Sequence, residues 1–250
     1  MKILIMMTNE AKLRLLDGRD HPSGFWAEEF VVPYEAFKKA GYHIDVATIG
    51  GTAPSVDPTS LNTTIMSYTR PKGSPNHDEE NAKHYKKVID ALPQLKKPMA
   101  VEDLTRDDVA SYTGIYVSGG HGAIGDLGKS DAVRTVIQWV LELDKPLAVV
   151  CHGHCALLAL RDSESAWPLA GYRMTAFSHA EELVTDMAGQ LPFVLQVELE
   201  RLGARYEKAD VIWDSHVVED RNLITGQNPY SSKALAETMV AKLKGVAVPA

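Results

Sequence analysis

The stretch Lys145–Leu160, KPLAVVCHGHCALLAL, decides the fold because it joins a short apolar run to a helix through one cysteine. Pro146 to Val150 predict a buried strand, and the Ala- and Leu-rich residues after Gly153 predict a helix. A sharp turn between the two raises the residue at the turn above the sheet. The helix start then favours a thiolate at Cys151, and His152 offers a neighbouring base. A buried structural cysteine is the alternative interpretation.

A second segment, Gly114–Gly122 (GIYVSGGHG), predicts another strand that ends in a glycine-rich turn. Gly119, Gly120 and Gly122 allow positive φ and let backbone N–H groups approach a bound oxygen. Such groups form an oxyanion hole when a thiolate attacks a carbonyl. On its own the motif also fits a simple tight turn.

Strand and helix patterns alternate along the chain, which predicts a single α/β domain over residues 1–250. We expect a three-layer sandwich with a mostly parallel, flavodoxin-like central sheet. The predicted strands are Lys2–Thr8, His43–Thr48, Gly114–Val117, Pro146–Val150, Tyr172–Phe177, Val211–Val218 and Asn222–Thr225. The predicted helices are Phe25–Ala40, Asp78–Leu92, Asp131–Leu143, Pro192–Leu202 and Ser231–Leu243. Ligands of such sheets bind at the carboxyl ends of the strands, where Gly119–Gly122 and Cys151 both fall.

The segment Thr52–Arg106 interrupts the alternation with a polar sequence rich in Pro and Asn. A structureless insertion of that length is improbable in a compact domain, so we interpret residues 52–106 as a small cap, a kind of insertion that often covers or narrows an active site. A plain surface excursion is the alternative.

The motifs VSGGHGAIGDL and VCHGHCALLAL resemble the ThiJ/PfpI superfamily, which has the class I glutamine-amidotransferase-like fold. Gly24–Gly41, Val56–Leu61 and Leu223–Pro229 resemble the branch that holds cofactor-free glyoxalases (glyoxalase III) and heat-shock holding chaperones. The resemblance implies a nucleophilic Cys151, a partner His152 and an acidic Glu29. It also implies a third carboxylate, which by position falls on Glu182, with Glu181 as the less favoured choice.

The first predicted helix carries the candidate acid. Its apolar stripe leaves Glu29 at the margin of the buried surface and Glu28 on the far side, where we expect a solvent-facing charge. Pro33 cannot donate to the carbonyl of Glu29, so the helix should loosen there. A partly buried carboxyl has a raised pKa and can exchange protons near neutrality. An edge glutamate with no role is the alternative.

Four histidines, His121, His152, His154 and His179, fall in loops predicted to meet at one sheet edge. Their spacing forms no closed metal motif, and zinc would consume the thiolate, so we predict no metal. His77, Glu79 or Glu80 and His84 in the cap suggest a second metal group, but a solvated helix face explains them better.

His154 and Cys155 depart from the family pattern after CHG, and His179 stands where an amide or small polar residue is usual. His154 is expected to narrow the pocket or to add a cation that lowers the pKa of the thiol further. Cys155 lies one turn beyond Cys151, as a resolving thiol or, in the favoured interpretation, as a packing residue.

Composition excludes several classes of protein. The chain of 250 residues has a formal net charge of −7 and no basic block, which argues against nucleic acid as a partner. No apolar run predicts a membrane span, and two cysteines favour a reducing cytoplasm. A homodimer is the default assembly, as is common in the resembled family.

The favoured function is a cofactor-independent, glyoxalase III-like conversion of methylglyoxal or related 2-oxoaldehydes to 2-hydroxy acids through a Cys151 hemithioacetal. Two alternatives remain. One is a cysteine hydrolase of peptides, amides or glycated adducts, and the other is a holding chaperone or oxidant sensor.

Overall fold

A computed structural model describes residues 1–162 and 166–245. Its centre is a seven-stranded sheet in the order β10-β11-β7-β6-β1-β4-β5. All neighbouring strands are parallel except β10 and β11, which are antiparallel. These strands are β1 (Lys2–Met6), β4 (His43–Thr48), β5 (Met99–Ala100), β6 (Gly114–Val117), β7 (Leu147–Val150), β10 (Val217–Asp220) and β11 (Leu223–Gly226). Two small sheets pair β2 (Lys12–Arg14) with β3 (Asp20–Pro22), and β8 (Arg173–Met174) with β9 (Arg205–Tyr206).

Helices surround the sheet and complete the predicted three-layer sandwich. They are α1 (Ala27–Lys39), α2 (Thr63–Thr69), α3 (Asp78–Ala91), α4 (Pro93–Lys96), α5 (Arg106–Ser111), α6 (Asp131–Glu142), α7 (Cys155–Leu158), α8 (His179–Glu182), α9 (Leu195–Arg201) and α10 (Ser232–Leu243). Helix α1 packs against α10, and α6 packs against α5 and α7. The strands β1, β6 and β7 are almost wholly buried, as expected for a parallel sheet covered on both faces.

Two predicted strands differ from the structure. The strand expected over Tyr172–Phe177 is only Arg173–Met174, because the backbone of the next residue, Thr175, is held by the Thr225 hydroxyl at 3.0 Å. The strand expected over Val211–Val218 begins only at Val217, since the chain before it turns through Trp213 at a φ of 69°. The helix predicted after Gly153 is present as the short α7, and a tight 3₁₀ turn, Cys151–His154, precedes it.

The predicted cap segment divides into two parts. Helix α3 packs against α1 and α2, and α2 lines the pocket described below, while β5 joins the edge of the main sheet beside β4. The expectation that residues 52–106 form one cap was therefore too broad at its C-terminal end. Two residues, Met99 and Ala100, suffice to extend the sheet, and so short a strand gives no periodic pattern in the sequence.

Candidate active site

Parallel pairing of β6 and β7 brings the two glycine- and cysteine-containing turns to the same sheet edge. Val117 pairs with Val149, so Gly119 and Cys151 follow at neighbouring strand ends. Cys151 has a φ of 51°, a backbone conformation that is uncommon outside glycine, as expected for a nucleophile at a strand-to-helix elbow. The thiol is 3% exposed and contributes to the wall of a pocket.

Glycine is required where this edge meets α1. Gly120 has a φ of 113°, and a Cβ there would lie 2.3 Å from the carbonyl oxygen of Gly24. A Cβ on Gly119 would lie 2.5 Å from Glu29 Oε2 and 3.0 Å from Cys151 Cβ. Glu29, Gly119 and Cys151 are therefore packed together with no space for a side chain between them. Within the described chain the N–H of Gly120 makes no hydrogen bond, and Gly120 is not among the residues that line the pocket.

His152 lies behind Cys151 and connects it to a carboxylate. Its Nδ1 lies 3.3 Å from Cys151 Sγ, and its Nε2 lies 2.8 Å from Glu182 Oε2. The structure thus places Glu182 where the resemblance implied a third carboxylate. Burial, and then the neighbouring His121, lower the pKa of His152 to about 4, although Glu182 opposes this. His152 is neutral at physiological pH and able to accept a proton.

Glu182 is shared by a second imidazole that does reach the pocket. His121 Nε2 lies 2.9 Å from Glu182 Oε1, and the rings of His121 and His152 are 4.1 Å apart. Burial alone would lower the pKa of His121, but the carboxylates of Glu182 and, to a smaller extent, Asp57 and Asp186 outweigh it, so the pKa of His121 is raised. Burial raises the pKa of Glu182, but the two imidazoles outweigh it and the net pKa is far below normal. The network runs from Cys151 through His152 and Glu182 to His121.

Glu29 is fully buried beside the thiol. Neither of its oxygens makes a hydrogen bond of good geometry within the described residues, although the Cys151 thiol and the Gly119 N–H are close enough to oppose the effect of burial. Burial nevertheless raises the pKa of Glu29 well above its ordinary value. Tyr116 fixes the start of α1 here by donating its hydroxyl to the backbone carbonyl of Glu29 at 2.6 Å.

The expectation of a resting thiolate at Cys151 is not supported. Burial, and then the adjacent Glu29, raise the pKa of this thiol well above its ordinary value, and the N–H of His152 opposes them only in part. Helix-terminal N–H groups cannot offset the desolvation of a thiolate next to a buried carboxyl. Cys151 therefore starts as a thiol and needs a base during attack, for which Glu29 and His152 are both in place.

Two predicted histidines do not reach the pocket. His154 is completely buried, its Nδ1 lies 2.8 Å from the carbonyl oxygen of Cys151, and burial lowers its pKa to about 3, so it adds no cation. His179 is exposed on α8, where its backbone N–H donates to Gln196 Oε1 at 2.9 Å. Cys155 is 0% exposed and does not line the pocket, which fits a packing role.

The choice between the two adjacent glutamates is clear in the structure. Glu181 completes a capping box with Ser178 and accepts hydrogen bonds from the Trp213 N–H, Gln227 Nε2 and Asn228 Nδ2 at 2.8–3.0 Å. Its oxygens are occupied in holding the loop of Trp213 against the end of β11. Glu182 alone of the pair is free to orient the histidines.

Sequence reasoning misplaced Glu28. The side chain lines the pocket, because the cap covers the face of α1 that a helical wheel assigns to solvent. Burial, and then the carboxylate of Asp78, raise its pKa to about 8. In the sequence, the insertion Thr52–Arg106 is the feature that could have indicated that this face of α1 is covered.

The pocket is a cavity of about 150 Å³ between the sheet edge and the cap. Taking the share of liquid volume of a water molecule as about 30 Å³, it has room for roughly five waters or one small organic molecule. Its wall includes five aromatic side chains, those of Trp26, Tyr68, Phe177, Trp213 and Tyr230, beside aliphatic and methionine side chains.

Within residues 1–162 and 166–245, three potential metal donors come together only at the imidazole pair. Among the described residues, the side-chain donor atoms of His121, His152 and Glu182 lie within 4.8 Å of one another. In the cap, His77 pairs with Glu80 at 3.1 Å, whereas His84 pairs with Glu35 of α1 at 3.0 Å. The hypothetical cap group thus does not come together.

The fold and site define an α/β protein with a cysteine at a strand-to-helix elbow and a Cys-His-Glu network. Residues 22–242 match the DJ-1/PfpI family, and the chain belongs to that family. It is 30% identical over 254 residues to the protein/nucleic acid deglycase HchA of Escherichia coli O1:K1, covering 98% of this chain and 83% of that protein. The HchA of Pseudomonas aeruginosa is 28% identical over 246 residues, and the match covers 94% of this chain and 78% of that protein.

Solved structures support the fold. The glyoxalase III of Candida albicans superposes with a TM-score of 0.75 at 24% identity, covering 96% of both chains. The rapid encystment protein of Francisella tularensis superposes with a TM-score of 0.76 at 23% identity, and the match covers 97% of this chain and 99% of that protein. In the part of the chain that the structure describes, no helix is both long and apolar enough to cross a bilayer.

Proposed function

We propose that this protein converts small 2-oxoaldehydes such as methylglyoxal to 2-hydroxy acids without a cofactor. The observation that carries the proposal is a strained, pocket-facing thiol with two buried proton carriers, Glu29 and His152, against it. The deglycase name of the curated relatives also concerns carbonyl adducts.

The first step is addition. As Cys151 attacks the aldehyde carbon, the S–C bond forms and the carbonyl π bond breaks to an oxyanion near the Gly120 N–H. The thiol proton passes to Glu29 or His152 and then to the oxyanion, giving a neutral hemithioacetal. His121, whose pKa is raised and which faces the pocket, is placed to supply a proton to the adjacent ketone oxygen.

Proton transfer between the two carbons completes the reaction. A base removes the hydrogen of the former aldehyde carbon, an enediol forms, and the neighbouring carbon takes up a proton. The product is a thioester of the 2-hydroxy acid on Cys151, and water cleaves it to the free acid and thiol. Overall, one 2-oxoaldehyde and one water give one 2-hydroxy acid, and the reaction needs no external oxidant or reductant.

The test is turnover of methylglyoxal by protein free of glutathione and added metal, with lactate measured as product. We expect wild-type turnover, and its loss in Cys151→Ala and Glu29→Gln. Activity that survives Cys151→Ala would refute the covalent mechanism. No turnover of methylglyoxal or phenylglyoxal by folded wild-type protein would refute the proposed reaction.

A deglycase is the second candidate, because relatives at 28–30% identity carry that name. The two reactions differ in what Cys151 attacks: free 2-oxoaldehyde, or its adduct with an amine or thiol. A fast scavenger of free aldehyde separates them. Amine release that stops when the scavenger is present favours the glyoxalase reaction, whereas release that continues favours direct attack on the adduct. A cytoplasmic location and a homodimer remain predictions.

A further inference from the structure

The polar part of the pocket wall is acidic. Three carboxyl side chains line it, those of Glu28, Asp57 and Asp186, and among the described residues no lysine or arginine does. Asp57 is held by the Thr59 N–H at 2.9 Å, and Asp186 lies 3.0 Å from His21 Nε2. The third carboxyl, Glu28, makes neither a hydrogen bond nor an ion pair with any residue that the structure describes.

The cations nearest the pocket are already matched by anions. Arg70 of the cap is paired with Asp78 at 2.6 Å. His121, the imidazole at the pocket wall, shares the Glu182 carboxylate at 2.9 Å. Neither cation is left to balance a negatively charged ligand, whereas the Glu28 carboxyl has no cation partner among the described residues and is open to the cavity.

An anionic ligand would therefore enter a small, largely apolar cavity that has no free cation to balance it. Above about pH 8, where Glu28 loses its proton, the ligand would also meet unmatched negative charge. Clefts lined by one sign of charge concentrate counter-ions by about 10–10³-fold, and they deplete ions of the same sign in the same way. A neutral ligand meets no such penalty, and a positively charged group could pair with Glu28. The aromatic wall favours an apolar or aromatic substituent.

We propose that Glu28 sets the specificity of this pocket, which admits uncharged or positively charged carbonyl compounds and rejects anionic ones. The inference deepens the proposed function and depends on it for the reaction, but not for the charge preference. The substrate class is 2-oxoaldehydes with apolar, aromatic or amine-bearing substituents. Anionic 2-oxo acids and carboxylated 2-oxoaldehydes are excluded.

The charge preference can be measured without turnover. Iodoacetamide and iodoacetate are nearly the same size and differ in charge, and both alkylate the Cys151 thiol in the pocket. The two rates are determined by peptide mass analysis at about pH 8.5, where Glu28 is ionised. The iodoacetamide-to-iodoacetate rate ratio of the protein is then divided by the same ratio measured for 2-mercaptoethanol. Cys151→Ala protein reports any labelling of the buried Cys155.

We expect the normalised preference for iodoacetamide to be about tenfold or more in the wild-type protein. It should fall several-fold in Glu28→Gln, which keeps the size of the side chain. Glu35→Gln is the matched control, since Glu35 lies two turns along the same helix face and pairs with His84 outside the pocket. Thr59→Lys, which adds a cation at the pocket wall, should lower the preference independently of Glu28.

A normalised ratio near one in the wild-type protein would overturn the proposal, as would a ratio unchanged in both Glu28→Gln and Thr59→Lys. Turnover of phenylglyoxal against 4-carboxyphenylglyoxal then tests the substrate class, with the neutral compound expected to be preferred. If neither is turned over while the alkylation ratio holds, the proposed reaction is wrong and the acidic pocket stands. If both are turned over equally and the alkylation ratio is flat, the reaction stands and the charge preference is wrong.

Discussion

Glu182→Gln tests the part of the site on which the proton transfers depend. The carboxylate is 4% exposed and contacts the Nε2 atoms of both His121 and His152, at 2.9 and 2.8 Å. With Glu182 ionised, both Nε2 atoms donate, so neutral His152 keeps its proton on Nε2 and leaves Nδ1 free to accept from Cys151. An amide of the same size offers one oxygen and one NH₂ group. One imidazole must then accept at Nε2, and if this is His152, its proton moves to the nitrogen that faces the thiol.

The magnitude follows from these contacts. A misplaced imidazole proton in a comparable triad costs about 10⁴ in kcat, and we expect kcat/KM to fall by about 10²–10⁴ because Glu29 can still act. The loss of a charge-assisted hydrogen bond costs about 1.5–3 kcal/mol of unfolding free energy. The pKa of His121 is higher in the folded than in the unfolded protein. Protonated His121 therefore stabilises the fold fully at pH values below its unfolded pKa, and this contribution disappears as the pH rises through its folded pKa. The stability difference should therefore be largest under mildly acidic conditions and shrink at alkaline pH.

The assay is methylglyoxal consumption across pH, together with urea unfolding at acidic and alkaline pH. Glu198→Gln is the control, since it also removes a carboxylate shared by two cations, Arg161 and Arg201, but away from the site. A Glu182→Gln protein with kcat/KM close to that of the control would refute the assignment of the histidine tautomers. A stability difference that grows with pH would refute the raised pKa of His121.

Three further predictions concern groups around the pocket. Alkylation of Cys151 by iodoacetamide should rise about tenfold per pH unit between neutrality and about pH 9, because the pKa of the thiol is raised; a rate already constant at neutral pH would contradict this. Gly119→Ala should cost about 1–3 kcal/mol in urea unfolding and most of the activity, because its Cβ would lie 2.6 Å from the Val150 carbonyl, which cannot move freely; wild-type stability would contradict the packing. For Glu28, with a folded pKa of about 8 against 4.5, wild-type stability should fall as pH rises between those values. The pKa shift corresponds to at most about 5 kcal/mol of unfolding free energy, and because part of the side chain is open to solvent we reduce this to about 1–2 kcal/mol. Glu28→Gln should therefore be more stable than wild type by about 1–2 kcal/mol above pH 8 and equally stable near pH 4. An equal gain in stability at both pH values would contradict the shift.

The sequence by itself determined the central sheet and where along that sheet Cys151, His152 and the glycine turn lie. Apolar runs before Gly119 and Cys151 make two buried parallel strands, and parallel strands place their carboxyl ends at one edge. Cys151, His152 and the glycine turn therefore follow from local pattern alone. The resemblance to a known family added Glu29 and Glu182, whose positions no local rule implies.

Tertiary structure decided the states and surroundings of those groups. Desolvation depends on what packs against a side chain, so burial beside Glu29 made Cys151 a thiol where the helix start alone predicted a thiolate. The cap turned Glu28 from a solvent-facing charge into a pocket carboxyl. Long-range contacts likewise gave Glu182 two imidazoles and left His154 and His179 outside the pocket. Spacing along a chain fixes which face a residue occupies, but only the assembled fold fixes what covers that face.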